Sequence, residues 1–537
     1  MSFLDKAVII SPNDNVAVAL QNIQKGELLK MNNSSIKMVE DVPVKHKISL
    51  HFFCKGDIIY MYGVPVGEVI VPIPPGGRLT TVNVKHLAAE YKIGNPEYDV
   101  IPPDVGHLEN KYFHGYYRGD GQVGTRNFWL FIPMVFCQNR NLQVLKEAFD
   151  TELGYKKENP IKQQIKELIG DSNGSSSIPK YRKIFENIDG IKFLSHEGGC
   201  GGTREDAQML VNLLAGYINN PNVAGATVLS LGCQHAQVSM LQEVLKDKYI
   251  CKKPVLYFEQ QQYASEKEML RDIVNDTFKK LKEANKIKRN PAPLSKLSIG
   301  LECGGSDGFS GITANPLIGN VSDKIGALGG KGILSEFPEL CGVEQDIINR
   351  CETRETAEKF INLMEAYNTR AKEVGSGFDM NPSPGNIKDG LITDAIKSAG
   401  AATKGGRAAV TDVLDYTEYA VKPGLNLLCT PGNDVESTTG LCGSGANLIL
   451  FSTGLGTPTG NPICPVLKIS SNSALPKKIT DIIDFDAGRI ISEGASLEDL
   501  SEELLELIVE VASGTKKTCA DILGQDDFIP WKRGVSL

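Results

Sequence analysis

Long apolar runs are missing from this chain, which excludes a membrane-spanning helix: the longest, FWLFIPMVFC, is about half of the roughly 20 residues such a helix needs. Positive charge is not in excess either. A net charge of -8 and a pI near 5.6 leave no polycationic face for nucleic acid or anionic lipid, so an acidic ligand must be gripped by local cations. Histidine is scarce, seven in 537 residues with none beyond His235, which confines imidazole chemistry to His46, His51, His86, His107, His114, His196 and His235. Closely spaced cysteine pairs are lacking too. Twelve cysteines are spread along the length, and MSFLDKAVIISPND carries Asp5 without the apolar core of a secretory leader. These features point to a reduced, cytoplasmic compartment, with no membrane and no nucleic acid as partner.

What is present is an ordinary globular composition, 41% hydrophobic and 23% charged, with core enough for two to four domains. Residues 1–100 alternate short β-rich runs (AVIIS, NVAVAL, HKISLHFF, DIIYMYGVPVGEVIVPIP) with turns, and are expected to form a small β domain. The proline-bearing NPEYDVIPPDVG reads as a linker, because proline removes ladder donors and favours extended backbone. Residues 101–295 then alternate strands (FWLFIPMVFC, IKFLSHEGGC, GATVLSLGC, PVLYFEQQ) with amphipathic helices (NLQVLKEAF, EDAQMLVNLLAGYI, VSMLQEVLKDKY). That is the pattern of a parallel sheet covered on both faces. The charged SEKEMLRDIVNDTFKKLKEANKIKRN reads as a solvated helix closing this domain. Residues 296–537 repeat the style with KLSIGLECGGSD, GGKGILSEFPEL, GLNLLCTPGND, NLILFSTGLGTP and VLKISSN, ending in the helix LEDLSEELLELIVEVASG. The expected fold class is α/β: a small β domain followed by two α/β domains with mainly parallel sheets. No heptad seam sets an oligomeric state, and a homo-oligomer is a general expectation only.

Chemistry concentrates where apolar runs stop at glycine and a polar atom, the positions at which parallel sheets open ligand crevices. Cys137 closes FWLFIPMVFC, Cys200 sits in HEGGCGGT, Cys233 in LSLGCQH and Cys303 in LECGGSDGFSG. Thiolates gathered from strand ends are ligands that iron and zinc prefer; the alternative is four small buried hydrophobes. His196, four residues before Cys200, is the best-placed imidazole, and His46, flanked by Lys45 and Lys47, is next. GYYRGDGQVGTRN gathers Arg118, Asp120, Arg126 and Asn127 around glycines, which suits a bidentate carboxylate clamp or else only a charged turn. In LECGGSDGFSGITANP, Ser306, Asp307, Ser310 and Thr313 can present hydroxyls and a carboxylate to a polyol, with free N–H groups at the next helix start for an anion. NPSPGN (381–386) and PGND (431–434) are rigid loops of the same kind, or plain turns.

In order and spacing, GYYRGDGQVGTRN, SHEGGC, LGC, LECGGSDGFSGITANP, NPSPGN, PGND and FSTGLGTPTG resemble the altronate and galactarate dehydratases over essentially the whole chain. The front region, with DNVAVAL, KHK and YGVPVG, is similar to that family's β-clip domain, the SAF domain. GLECGGSDG, PGND and FSTGLGTPTG look closer to the altronate branch. Two positions depart from the family pattern: Ser11 stands where members commonly carry a histidine before DNVA, and Gln234 where a glutamate commonly follows LGC.

The resemblance implies loss of water from a sugar acid, D-altronate giving 2-dehydro-3-deoxy-D-gluconate, with Fe2+ or Mn2+ as cofactor. A hydrogen beside a carboxylate is very weakly acidic. Such an enzyme must stabilise an enediolate, take the α-proton with a base and protonate the departing hydroxyl with an acid. On this resemblance His196 is base or acid, with His46 or His235 as counterpart. Lys47 and Arg126, with Asn127 beside them, would hold the carboxylate, and Ser306, Asp307, Ser383 and Asn386 would read the hydroxyls. Cys137, Cys200, Cys233 and Cys303 would bind iron, as a single ion or as an iron–sulfur cluster with one open position. A hard site using His46 and Asp307 is the alternative for the metal. Two rival functions stand beside this one. One is a related lyase acting on galactarate or eliminating sulfite from a sulfolactate-like acid; the other is a non-catalytic sugar-acid-binding protein, which Ser11 and Gln234 favour.

Overall fold

Short apolar runs broken by turn residues make the N-terminal region a set of brief antiparallel strands. In the computed structural model Ser2–Phe3, Ala7–Ile9, Val16–Ala19 and Lys47–Ser49 form one sheet, and Ile58–Met61, Val64–Val69 and Val84–Lys85 another. Ala7, Ala17, Ala19, Ile23, Leu29 and Ile48 close the core of the first. The structure describes residues 1–31, 35–88, 90–94, 101–156, 159–169, 182–249 and 251–536, so part of the expected linker, 95–100, lies outside the described residues.

Two units emerge where the sequence suggested three domains: Met1–His114 with Pro291–Trp531, and Gly115–Asn290 with Lys532–Leu537. The β domain does not stand apart from the C-terminal region. Thr393 Oγ1, for example, donates to Val66 O across 2.9 Å.

In the unit built on 115–290, the strands are β1 (Phe128–Pro133), β2 (Gly190–Phe193), β3 (Val223–Ser230) and β4 (Val255–Glu259), all parallel in the order β2-β1-β3-β4. Helices α1 (Asn139–Glu152), α2 (Arg204–Asn219) and α3 (Glu266–Ala284) cover it. Every residue of β3 is buried, as a sheet covered on both faces requires. Thr203 and Ser265 cap α2 and α3 by accepting the N–H of Asp206 and Glu268. The charged helix α3 still buries Met269, Ile273, Thr277 and Leu281, one stripe at helical spacing against the sheet.

The C-terminal region carries a seven-stranded parallel sheet. Its strands are β5 (Ser298–Cys303), β6 (Lys331–Leu334), β7 (Val410–Leu414), β8 (Gly424–Leu428), β9 (Leu448–Thr453), β10 (Val466–Ser470) and β11 (Phe485–Asp486). Their order is β7-β8-β6-β5-β9-β10-β11. The chain winds outward from β5 through β6, then returns to place β9 on the other side of β5. Helices α4 (Ala314–Ala327), α5 (Asp394–Ala402), α6 (Asp434–Gly443) and α7 (Leu497–Ala512) belong to the same region. Among the described residues no helix is long and apolar enough to cross a membrane.

The arginine-and-glycine segment before β1 serves the fold. Arg118, buried, donates to Pro221 O at 2.7 Å, Asn127 Oδ1 at 2.9 Å and Arg126 O at 3.1 Å. Arg118→Ala leaves these acceptors without that donor in the interior, and is expected to cost about 3 kcal/mol of stability. Urea denaturation of the variant measures it.

Candidate functional site

In open parallel sheets, ligands settle outside the carboxyl ends of strands where the winding direction reverses. Each unit has one such point. In the C-terminal region it lies between β5 and β9, which run into Cys303-Gly304-Gly305-Ser306-Asp307 and Thr453-Gly454. Glycine is required at 454, because a Cβ there would come within 2.3 Å of Asp307 Cγ.

Asp307 is fully buried. Its Oδ1 accepts from Ser471 Oγ at 2.7 Å, and from Ser310 Oγ and Phe309 N at 3.1 Å each. Its Oδ2 accepts from Asn472 Nδ2 at 3.1 Å and pairs with Lys45 Nζ at 2.8 Å. Lys45 arrives from the β domain in a left-handed conformation, φ 74°, and also reaches Asp389 Oδ1 at 3.0 Å. Burial works against its ammonium, but Asp307 and Asp389 outweigh burial and raise its pKa.

The two residues after Lys45 join the same place. His46 Nε2 meets Lys388 O at 3.1 Å, and its buried Nδ1 has no hydrogen-bond partner. Burial, with the charges of Lys47 and Arg78, lowers its pKa, so the ring is neutral at pH 7. Lys47 Nζ donates to Gly390 O at 2.5 Å and Lys45 O at 3.3 Å, and burial brings its pKa down to about 7 against the pull of Asp307. The NPSPGN loop braces the far side. Asn386 Nδ2 donates to Ser306 O at 2.7 Å, while its Oδ1 accepts from Ser383 N and Oγ at 3.0 Å each. Lys47, His46, Ser306, Asp307, Ser383 and Asn386 are thus brought together. Ser383 and Asn386 spend these hydrogen bonds on the loop itself.

Cys303 has a different environment from the one the sequence suggested. Its buried thiol donates to Glu339 Oε2 at 2.8 Å and accepts from Lys404 Nζ at 2.8 Å. Lys404 also donates to Glu336 Oε2 at 2.9 Å, and Lys397 pairs with Glu339 Oε1 at 2.8 Å. Burial, then Glu336 and Glu339, push the thiol pKa well up, against Lys404 and Lys397. The ligand atoms of Cys303, Glu336 and Glu339 lie within 4.8 Å of one another, but Lys404 is the cation among them. Burial opposes ionisation of Glu339, yet Lys397 and Lys404 draw its pKa to about 2. Glu336 itself is left-handed at φ 66°, a strained backbone of the kind that gathers at functional sites.

Asp434 opens α6 beside this network. Its carboxylate lies on bare backbone: a Cβ on Gly304 would come within 2.1 Å of Asp434 Oδ2. Among the described residues no hydrogen bond or ion pair holds that carboxylate. Burial, then Glu336 and Glu339, raise its pKa to about 7 against Lys468 and Lys397.

In the other unit the reversal falls between β1 and β3, and Cys137, Cys200 and Cys233 follow β1, β2 and β3 there. Their loops are stitched together: Phe136 N donates to Gly198 O and Ala236 N to Gly199 O, both at 3.1 Å. All three cysteines are exposed, as is His235. His196 is buried, with Nε2 2.6 Å from Pro133 O and Nδ1 accepting from Gly198 N at 3.1 Å, so both ring nitrogens brace backbone. Burial lowers its pKa to about 4 against that carbonyl. Gln234 accepts from Gly232 N and donates to Ser230 Oγ, holding the Cys233 turn. Arg126 and Asn127 precede β1, whose six residues put them roughly 20 Å from the cysteine edge. They do not join that cluster; Arg126 donates to Thr125 O and Asn127 to Asn187 O.

Ser11 lines a cavity of about 560 Å3 with Tyr62, Arg350 and Arg407. The sequence left Lys45, Asp389, Ser471, Asn472, Glu336, Glu339, Lys404 and Asp434 without roles. Lys45 next to His46 and Asp434 in PGND were the only signals. Lys45→Met should destabilise the protein by about 3 kcal/mol, because it strands a buried carboxylate, and Lys45→Met with Asp307→Asn by less. Chemical denaturation of both variants checks the difference.

Comparison with known proteins covers the chain from end to end. Family models match residues 5–87 (altronate/galactarate dehydratase SAF domain), 115–285 (D-galactarate dehydratase/altronate hydrolase, second domain) and 294–536 (D-galactarate/altronate dehydratase, C-terminal). Altronate dehydratase of Escherichia coli (strain K12) is 34% identical over 528 residues, 98% of each chain. Altronate dehydratase of Bacillus subtilis (strain 168) is 34% identical over 94% of each. Galactarate dehydratase (L-threo-forming) of Escherichia coli (strain K12) is 28% identical over 96% of this chain and 94% of its own.

Proposed function

The chain belongs to the altronate and galactarate dehydratase family and is a sugar-acid hydro-lyase; we propose that its substrate is D-altronate, converted to 2-dehydro-3-deoxy-D-gluconate and water. The observation that carries the placement of the reaction is the Lys45–Asp307 pair, sealed into the carboxyl edge of β5 and β9 with His46 and Lys47 beside it.

The chemistry follows from the protonation states. Donation from Nε2–H of His46 to Lys388 O leaves a lone pair on its unpartnered Nδ1, so His46 is the base that takes the C2 proton. Lys47 supplies the cation nearest the substrate carboxylate, and the Ser306 hydroxyl reads the polyol. Asp434, near neutrality and unheld, is the acid for the departing 3-hydroxyl. The base takes the C2 proton, the C2–H electron pair becomes the C2=C3 bond as C3–O breaks, and the leaving oxygen takes the Asp434 proton and departs as water. The enol then tautomerises to the 2-keto acid, His46 gives up the C2 proton to solvent, and Asp434 is reprotonated from solvent.

Cys137, Cys200 and Cys233 stand on glycine-bearing loops after adjacent strands, but among the described residues their sulfurs do not form a group of three ligand atoms within 4.8 Å of one another, so they would hold iron within an iron–sulfur cluster, which spaces its thiolates more widely than a single Fe2+ or Mn2+ ion. Such a group supplies Lewis acidity when bound. A reducing cytoplasm keeps these thiols free.

A coupled assay for 2-keto-3-deoxy acid across aldonic and aldaric acids, with iron added, tests the substrate. D-altronate is expected to lead; preference for galactarate would move the chain to the diacid branch, and binding without turnover would make it a sugar-acid-binding protein. His46→Gln keeps the donor to Lys388 O but has no base, and Asp434→Asn has no proton to give. Each should lower kcat at least about a hundredfold. Wild-type activity should fall on acidification as His46 protonates, at a pH below that of an ordinary imidazole, and fall again above about 7 as Asp434 loses its proton. Lys47, whose pKa is also about 7, loses its charge over the same range, so the alkaline limb should become shallower in Asp434→Asn and keep the part that Lys47 sets. Iron and sulfide analysis of anaerobically purified protein should find both in the wild type if a cluster is held, iron alone if a single ion is, and neither in Cys200→Ser.

A further inference from the structure

Away from Asp307 and from the exposed cysteines, His86, Cys341 and Asp394 meet in the unit that joins the β domain to the C-terminal region. A ring nitrogen of His86, the Cys341 sulfur and a carboxylate oxygen of Asp394 all lie within 4.8 Å of one another. They come from three separate places: the stretch just after Val84–Lys85, the turn that follows Phe337–Leu340, and the first residue of α5. His86 Nδ1 accepts from Ala395 N at 3.4 Å, so the ring faces the helix start.

Asp394 supplies the second observation. It is 1% exposed, and neither carboxylate oxygen has a well-formed hydrogen bond in this interior position. Its pKa stands at about 8, raised first by burial and further by Glu339 and Glu344, with the Cys341 thiol and Lys397 pulling the other way. Lys397 does not neutralise it directly, since its ammonium is paired with Glu339 Oε1 at 2.8 Å.

We propose that His86, Cys341 and Asp394 form a binding site for a borderline divalent cation of the Zn2+ or Fe2+ type. One nitrogen, one sulfur and one oxygen are the donor set such ions accept, and it disfavours Mg2+ and Ca2+, which want oxygen alone. Three protein ligands leave a fourth position for water. Binding takes Cys341 as thiolate and Asp394 as carboxylate, so uptake of the ion releases protons. The ion would clip the segment after the second β sheet to α5 and stabilise this unit by mass action. The site uses none of the residues assigned to the dehydratase mechanism and none of Cys137, Cys200 and Cys233.

The test uses the full chain with Cys137, Cys200 and Cys233 replaced by serine, which removes the exposed cysteines at the other strand ends, and titrates it with Co2+ alone. One equivalent should produce a near-ultraviolet thiolate-to-cobalt band with visible ligand-field bands. Zn2+ should bleach them, and protons should be released. Metal-loaded protein should melt several degrees higher, on the order of 3 °C or more. Cys341→Ser should abolish the charge-transfer band. His86→Ala, at a half-buried position where folding is least at risk, should weaken binding at least about tenfold, a loss that even outer-shell changes cause at metal sites. Absence of a thiolate band in folded protein at excess Co2+, or a band unchanged by both substitutions, overturns the proposal.

Discussion

A carboxylate taken wholly out of water must bring its own compensation, and Asp307 organises the C-terminal region around that demand. Two serine hydroxyls, a backbone N–H, an asparagine amide and the Lys45 ammonium meet its two oxygens. The ammonium is the decisive partner because the other donors are neutral. Since Lys45 belongs to the β domain, neutralising Asp307 fastens the β domain to the end of β5 and delivers His46 and Lys47 with it. The left-handed backbone of Lys45 is what allows three consecutive side chains to be used at one place.

The two strand-reversal points of the molecule are furnished with opposite chemistry. In one unit, three exposed sulfurs stand on loops joined by backbone hydrogen bonds. In the other, carboxylates and ammonium groups are buried in alternation, and Lys404 and Lys397 occupy the places a cation would otherwise take. That alternation sorts the acids. Glu339, gripped by both lysines, stays ionised, while Asp434, facing two glutamates and no donor, sits near neutrality. A dehydratase needs groups held apart in this way, because a base and an acid must coexist at one pH.

Much of this was legible beforehand, and the failures have physical reasons. Strands ending at glycine and cysteine marked both carboxyl edges, and the dense small polar residues after Cys303 marked Asp307. Cys303 shared its local signature with the other three cysteines, yet its neighbours Glu339 and Lys404 come from distant turns that no local pattern announces. Arg118 and Arg126 looked like ligand clamps because an unpartnered guanidinium and one bracing backbone carbonyls have the same sequence. His196 misled similarly, since a histidine at a strand end serves equally well as a base or as a pin for Pro133 O and Gly198 N. Lys45 had been noted only as a neighbour of His46, because nothing local signals the carboxylate it neutralises.

The sequence by itself determined the α/β class, the order of strands and helices, the glycine-bearing strand ends and the family. These are written in periodicity, turn chemistry and motif order, which depend on residues near one another in the chain. Only the tertiary structure decided which cysteines stand free, which histidine keeps an open nitrogen, and which acid lies without a donor. Charge compensation and burial are properties of whatever the fold brings within a few ångströms, and here the partners that mattered came from the opposite end of the chain.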